Sequence, residues 1–457
     1  MENEISQGNF QEIVVVGSSK EKSEENGIIC VYDLHTGSQI MKFKENNSSL
    51  KGISVTENYI FSNQEERPTI HVYSWQKESI CQKMYIPEAL SVFVVSHDAF
   101  WAIGGTIEGR MYIWQILSGN LVFVHNAHYQ RITAITFTMD DMFFLTGSED
   151  SSLCLWRLSD IVDLQAQKDK VQAVKTWNVH RLSVTDIVCG FGSGSMARFF
   201  TSSLDNTVNV WDLGTQSLLT TFLLENPITC IAVDPAERAF YAGSNQGNVY
   251  LVDLYGSSEE KFLESFYKAI GGSEKTVQGI KDESYTFKGH ESAILCIALS
   301  FDGSLLITGS KDKNIFIWDI AARQMIQTFK KYDGSITSIC CKVVNQGFFA
   351  HKMALENIPS FKKVKKINDM DDYYILKKLE GFTKSKDELW YEDDLTSMKN
   401  DLNEFMSITS EPALQLQIKN LQDELQKLYG YYSELKDVHQ ELWTAYTESK
   451  KINENQN

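Results

Sequence analysis

The sequence predicts an all-β fold, a seven-bladed β-propeller, with a C-terminal α-helical coiled coil. Three observations predict it. Short β-branched and aromatic runs recur at a near-constant interval. A polar constellation recurs with them at fixed offsets. Beyond Ser410 the apolar pattern leaves the period of a strand for that of a coiled helix.

The recurring runs are "IICVYDL" (28–34), "TIHVYSW" (69–75), "RMYIWQI" (110–116), "SLCLWRL" (152–158), "TVNVWDL" (207–213), "NVYLVDL" (248–254) and "NIFIWDI" (314–320). Aligned on Tyr32, Tyr73, Trp114, Trp156, Trp211, Val252 and Trp318, they stand 41, 41, 42, 55, 41 and 66 residues apart. Four of these intervals lie near the ~40–45-residue period of one four-stranded propeller blade. The two long ones hold polar insertions, 164–175 and 255–285, expected as surface loops with at most a short helix. Before each closing run the pattern alternates in period two, as in "ITAITFTMDDMFFLTGS" (132–148) and "ILCIALSFDGSLLITGS" (294–310), with "DD" and "DG" supplying hairpin turns. Such sheets bury both faces only when packed radially.

The first unit, from "QEIVVVGSS" (11–19), lacks an upstream strand, and "SITSICCKVV" (335–344) has no blade of its own. The C-terminal strand is therefore expected to complete the N-terminal blade and remove an exposed sheet edge.

The polar constellation is Ser148, Asp150 and Trp156 with His128 upstream. It recurs as His180, Ser203, Asp205 and Trp211, and again as His290, Ser310, Asp312 and Trp318. Ser, His and Asp together suggest a hydrolase. A catalytic triad, however, needs one exposed nucleophile in one cleft, whereas three copies at repeat spacing read as structural tetrads. In each, Asp anchors His from a tight turn, the Ser hydroxyl extends the network and the indole N–H ends it. The sixth unit has Gln246 and Val252 instead. The third has Thr106, Glu108 and Trp114 without a histidine, and the first two keep only the closing run.

With "GSEDSSLCLW", "SSLDNTVNVWDL", "GSKDKNIFIWDI" and "KGHES", the chain resembles the WD-repeat β-propeller family over roughly residues 10–345. "HYQRITAITFT" (128–138), "DIVCGFGSGSMARFFTSSLDNTVNVWDL" (186–213), "FKGHESAILCIALSFDGSLLITGSKD" (287–312) and "YDLHTGSQI" (32–40) are similar to the rixosome WD-repeat subunits. That resemblance implies a non-catalytic scaffold without cofactor or metal. Its implied partners are a helical-repeat subunit, a smaller subunit and an AAA ATPase remodeller. The setting is removal of the internal spacer from the large pre-ribosomal subunit, in the nucleus, nucleolus and nucleoplasm. A WD-repeat adaptor of another assembly, such as a ubiquitin ligase or a trafficking complex, is the alternative.

The propeller is expected over 1–345, a polar linker or partner-binding extension over 346–410, a coiled-coil helix over 411–450 and a tail over 451–457. In the extension, Lys362, Lys363, Lys365 and Lys366 form a basic cluster that fits a solvated linker, a nuclear localisation signal or an RNA contact. By the resemblance, "IPSF" (358–361) sits where a partner-binding strap is expected. Ser410 caps a helix whose apolar seam is Leu414, Ile418, Leu421, Leu425, Leu428, Tyr432, Leu435, His439, Leu442 and Tyr446, with one polar interruption. Tyr429, Tyr431, Val438 and Trp443 widen that seam beyond a two-stranded coil, so either another helix or partner surface covers it or the oligomer is larger than a dimer. Self-pairing into a homodimer is what the resemblance implies for this helix.

Composition excludes several classes. A formal net charge of -17 over 457 residues argues against generic binding to nucleic-acid backbones, so pre-ribosomal contact is expected mainly through proteins. No apolar run is long enough for a membrane span, and "MENEISQGNF" lacks the features of a secretory signal. The eight cysteines, including the adjacent Cys340 and Cys341, are scattered with no CxxC pair and read as reduced core residues.

Overall fold

A computed structural model describes residues 10–19, 27–65, 67–162, 172–254, 277–279, 286–329, 332–345 and 358–363. Seven antiparallel sheets follow one another along the chain. The second blade is typical: Ser48–Val55, Tyr59–Gln64, Thr69–Ser74 and Lys77–Tyr85 meander from the inside of the ring outward. The inner strands of the third to seventh blades are Leu90–Val95, Ile132–Phe137, Val184–Cys189, Ile228–Val233 and Ile294–Leu299. Each inner strand packs on the inner strands of the neighbouring blades.

The first blade draws its inner strand from the far end of the propeller. Ile336–Asn345 pairs antiparallel with Phe10–Ser18, in register from Phe10↔Asn345 to Ser18↔Ile336. It also packs on the inner strands of the second and seventh blades, so the cycle closes. The sequence reason is visible in "EIVVVG": Ile13, Val14, Val15 and Val16 are all buried, which requires packing on both faces.

The seven closing runs form the third strand of their blades, where alternation places one large side chain into each blade interface. Trp114, Trp156 and Trp211 are among the largest fully buried side chains. Of the two insertions, the second does more than loop over the surface. Within it, Val277–Gly279 adds to the fifth blade as a fifth strand, parallel to Ser217–Leu223. "VQG" carries no strand pattern, so only the neighbouring edge dictates it. The short helix Leu158–Val162, which buries Ile161, precedes the first insertion, and residues 163–171 lie outside the described residues.

The blades are also clasped by hydroxyls near the start of the inner strands. Ser91, Thr133, Thr185 and Thr229 donate to the backbone oxygens of Ile132, Val184, Ile228 and Ile294 at 2.7, 2.6, 2.9 and 2.5 Å. Each joins one blade to the next. Where the first and second blades meet, a buried cluster replaces the clasp. Ser62 donates to Asn46 Oδ1 at 2.6 Å, Asn46 Nδ2 donates to Ser48 Oγ at 3.2 Å, and Ser48 lies 2.6 Å from Thr337 Oγ1. Sharing polar partners across a seam couples the blades, because opening it leaves buried groups unpaired.

Candidate functional site

The three polar sets fold alike. In the fourth blade, the Trp156 indole N–H donates to Thr146 Oγ1 at 3.1 Å, and that hydroxyl lies 2.8 Å from His128 Nε2. In the fifth, Trp211 reaches Thr201 at 3.0 Å and Thr201 lies 2.8 Å from His180. In the seventh, Trp318 reaches Thr308 at 2.9 Å and Thr308 lies 2.9 Å from His290. On the other side of the ring, Nδ1 faces either a carboxylate or a hydroxyl whose proton is spent on a carboxylate, so Nδ1 is the donor and a neutral ring accepts the threonine proton at Nε2.

This corrects one member of each expected set. The hydroxyl between His and Trp belongs to Thr146, Thr201 and Thr308, two residues before Ser148, Ser203 and Ser310. Period two explains the shift: Thr146 and Ser148 share one face of their strand, but only Thr146 stands level with the indole. Ser148, Ser203 and Ser310 instead hold the tight turn. Each donates to a backbone oxygen of the preceding loop (Gln130, Leu182, Ser292) and accepts from the amide of Asp150, Asp205 or Asp312.

The aspartates bind the turn from the other side. Asp312 Oδ2 accepts from His290 Nδ1 at 2.9 Å and from the Glu291 amide at 3.1 Å. Asp150 and Asp205 lie farther from their histidines, at 3.6 and 3.4 Å. There Ser152 and Thr207 intervene, 2.6 and 3.1 Å from Nδ1 and donating to the carboxylates at 2.5 Å. Ser151, Asn206 and Lys313 take positive φ in these turns. In the sixth blade, where Gln246 stands for Asp, Gly247 takes the position with φ +86.

Burial raises the Asp150 and Asp205 carboxyls. Hydrogen bonds from the histidine, the intervening hydroxyl and the turn amides outweigh it and hold both well below the usual carboxylate range. A depressed carboxyl stabilises the fold fully above its unfolded value near pH 4 and loses that contribution as pH falls through the folded value. Acid unfolding below about pH 4 should therefore be shallower in Asp150→Asn with Asp205→Asn than in the parent, as read by urea midpoints across the acid range.

None of the three rings faces a cleft: the side chains of His128, His180 and His290 are 0%, 2% and 0% exposed. Among the described residues no cluster of His, Cys, Asp and Glu is arranged to hold a metal ion, and no helix is long and apolar enough to cross a membrane. The described cysteines are free; burial pushes the Cys340 and Cys341 thiols above their usual range.

The third blade, which lacks the histidine, solves the problem differently. Its Trp114 indole N–H donates to the Lys362 backbone oxygen at 3.2 Å, and Phe361 stacks on Trp114 with ring centres 5.3 Å apart and planes 8° from parallel. The Lys362 amide donates to Gly119 O at 2.7 Å, and Gln82 Nε2 to Ser360 Oγ at 3.1 Å. Gly119 is required here: it has φ +65, and a Cβ would stand 2.5 Å from Ser360 O. Residues 358–363 thus form a clip between the second and third blades, with Phe361 only 3% exposed. "IPSF", expected as a strap for a partner, lies against its own propeller. Lys362 contributes its backbone, and Lys363 lies 5.9 Å above the Tyr85 ring. Lys365, Lys366 and the seam Leu414–Tyr446 lie outside the described residues. Phe361→Ala should cost the clip roughly 3 kcal/mol, seen as faster hydrogen exchange at the Lys362 amide while the fifth blade keeps its protection.

Comparison with known proteins places this architecture. The WD domain, G-beta repeat (WD40) profile matches residues 119–157, 171–212 and 281–319. Each match runs from the outer strand of one blade to the third strand of the next, and these are the spans that carry the complete His–Asp sets. The chain is 31% identical over 431 residues to the pre-rRNA-processing protein IPI3 of Yarrowia lipolytica, covering 91% of this chain and 96% of that protein. The chain belongs to the family of WD-repeat pre-rRNA-processing proteins that includes IPI3. Within it, crb3/ipi3 of Schizosaccharomyces pombe is 28% identical over 95% of this chain and 99% of its own length. WD repeat-containing protein 18 of Homo sapiens is 29% identical over 65% of this chain and 66% of its own. The match to the IPI3 proteins thus extends past the propeller into the C-terminal region.

Proposed function

We propose that this chain is a non-catalytic scaffold subunit of a rixosome-like complex acting in maturation of the large ribosomal subunit. The observation that carries this reading is the near full-length similarity to proteins named for pre-rRNA processing. A shared repeat motif alone would have matched only the blades. Sealed histidines support a bracing role for the polar sets, since a buried imidazole cannot meet a substrate. The propeller is the platform, and residues 346–410 extend it toward a helical-repeat subunit and a smaller subunit. The helix 411–450 pairs two copies, and the assembly brings an AAA ATPase remodeller to the pre-60S particle in the nucleolus and nucleoplasm. Contact with the particle runs mainly through proteins, because a net charge of -17 repels an RNA backbone.

The test is affinity purification of the full chain from its own cells, with mass spectrometry of the co-purified proteins. Enrichment of pre-ribosomal proteins with helical-repeat and AAA ATPase subunits is expected. Recovery of a ubiquitin ligase or trafficking assembly without any pre-ribosomal protein would overturn the reading. For the helix, Leu425→Asp with Leu435→Asp should halve the mass in solution and leave the melting of the propeller unchanged.

A further inference from the structure

Lys51, on the inner strand of the second blade, reaches across the axis of the ring. It bonds Asp186 of the fifth blade at 2.7 Å and the Thr185 backbone oxygen at 2.8 Å, which uses up its charge. The other axial lysine is different. Lys342, on the closing strand, lines two adjoining cavities of about 600 and 400 Å³ along the axis. Among the described residues no carboxylate lies within ion-pair distance of it. Burial pulls its ammonium below the usual lysine range, with Glu57 opposing through space.

The smaller cavity opens on the face opposite the aspartate turns, since turns alternate between the two ends of a meander. Phe191 and Phe301, from the first turns of the fifth and seventh blades, flank its mouth and are 51% and 75% exposed. Both are held in place from behind. The Phe191 amide donates to Glu237 at 2.9 Å, and the Phe301 amide to Glu12 at 2.5 Å. Glu12 also lines this cavity, but its carboxylate is shared between that amide and His35, 3.7 Å away. Between the two phenyl rings the sixth blade lines the cavity with Ile231, Ala232, Val233 and Pro235, leaving a trough with apolar walls. Exposed aromatic rings on fixed turns beside a half-buried cation that makes no direct ion pair cost stability and are explained by an occupant that covers the rings and carries a carboxylate to the ammonium.

We propose that this axial mouth docks an extended acidic–aromatic peptide of a partner protein, its apolar side chain seated between Phe191 and Phe301 and its carboxylate at Lys342. The proposal rests on the scaffold reading above and supplies one of its partner surfaces. A peptide fits better than RNA, because a single cation without a direct ion pair, beside mostly apolar walls, suits a single carboxylate, whereas a phosphate backbone needs a row of cations.

Panning a phage-displayed random peptide library against the full-length chain tests it. Enrichment of sequences pairing Asp or Glu with Phe, Tyr or Trp is expected. Synthetic copies of these should bind roughly tenfold or more weakly to Lys342→Met, and likewise to Phe191→Ser with Phe301→Ser. Lys342→Met should melt no lower than the parent, since it removes a half-buried charge that makes no direct ion pair. A clearly lower melting temperature would overturn the premise, and Lys342→Gln would show whether charge or shape was lost. Enriched peptides insensitive to all three variants, no enrichment, or oligouridylate binding abolished by Lys342→Met would overturn the proposal. Because panning needs no ribosomal component, its failure is separate from failure of the affinity purification.

Discussion

A chain that stops after Phe329 should not form a cooperatively folded ring. The missing strand, Ile336–Asn345, is the inner strand of the first blade, and its loss exposes Phe10–Ser18 along a full edge. Ile336 and Val344 are 0% and 4% exposed and pack into two separate cores, one shared with the seventh blade and one with the second. Truncation therefore opens two blade interfaces at once. It also removes Thr337 from the buried cluster of Asn46, Ser48 and Ser62. The expected product is aggregated or lacks a sharp thermal transition, by calorimetry and by size-exclusion chromatography. A monomer melting sharply at the temperature of the full propeller would show that the ring does not depend on this closure.

Trp211→Ala should cost about 3–5 kcal/mol, the largest loss expected from a single side chain. Trp211 is 1% exposed, stacks on Phe199 with ring centres 5.7 Å apart, and lies 5.4 Å from Trp177. Its removal opens a cavity at the interface of the fourth and fifth blades. It also leaves Thr201 with a spare acceptor beside His180, so the packing loss and the polar loss fall on one site. Val252→Ala at the equivalent position of the sixth blade removes fewer contacts and no hydrogen bond, and should cost about 1–2 kcal/mol. Urea midpoints would rank the two. A Trp211 variant no less stable than the Val252 variant would mean that the indole is not a brace.

Much of this was legible because a propeller repeats its grammar. The alternation of each hairpin, the aromatic near the end of every third strand but the sixth blade's and the orphan strand at each end fix blade number and closure without any distance. The sets His128, His180 and His290 with their aspartates were legible for the same reason. What spacing could not choose was which hydroxyl bridges His to Trp. Thr146 and Ser148 have the same parity, and only depth in the sheet separates them. The inner-strand clasps did leave a trace, a Ser or Thr as second residue in "LSV", "ITA", "VTD" and "ITC". Scattered hydroxyls in strands are common enough to hide it. The clip of Phe361 on Trp114 left none: it is a contact across 247 residues of sequence, made by a segment whose composition reads as linker.

The central claim is that the polar quartets brace the ring and perform no chemistry. Urea unfolding of Thr201→Val and Thr308→Val, beside Ser203→Ala and Ser310→Ala, tests it most directly, with partner capture by each variant measured in parallel. Valine keeps the shape of threonine and removes the hydroxyl that joins His to Trp. Each variant should lose about 1–3 kcal/mol, and capture should fall only as far as the folded fraction falls. A threonine or serine variant that keeps full stability while a function of the protein disappears would contradict the account.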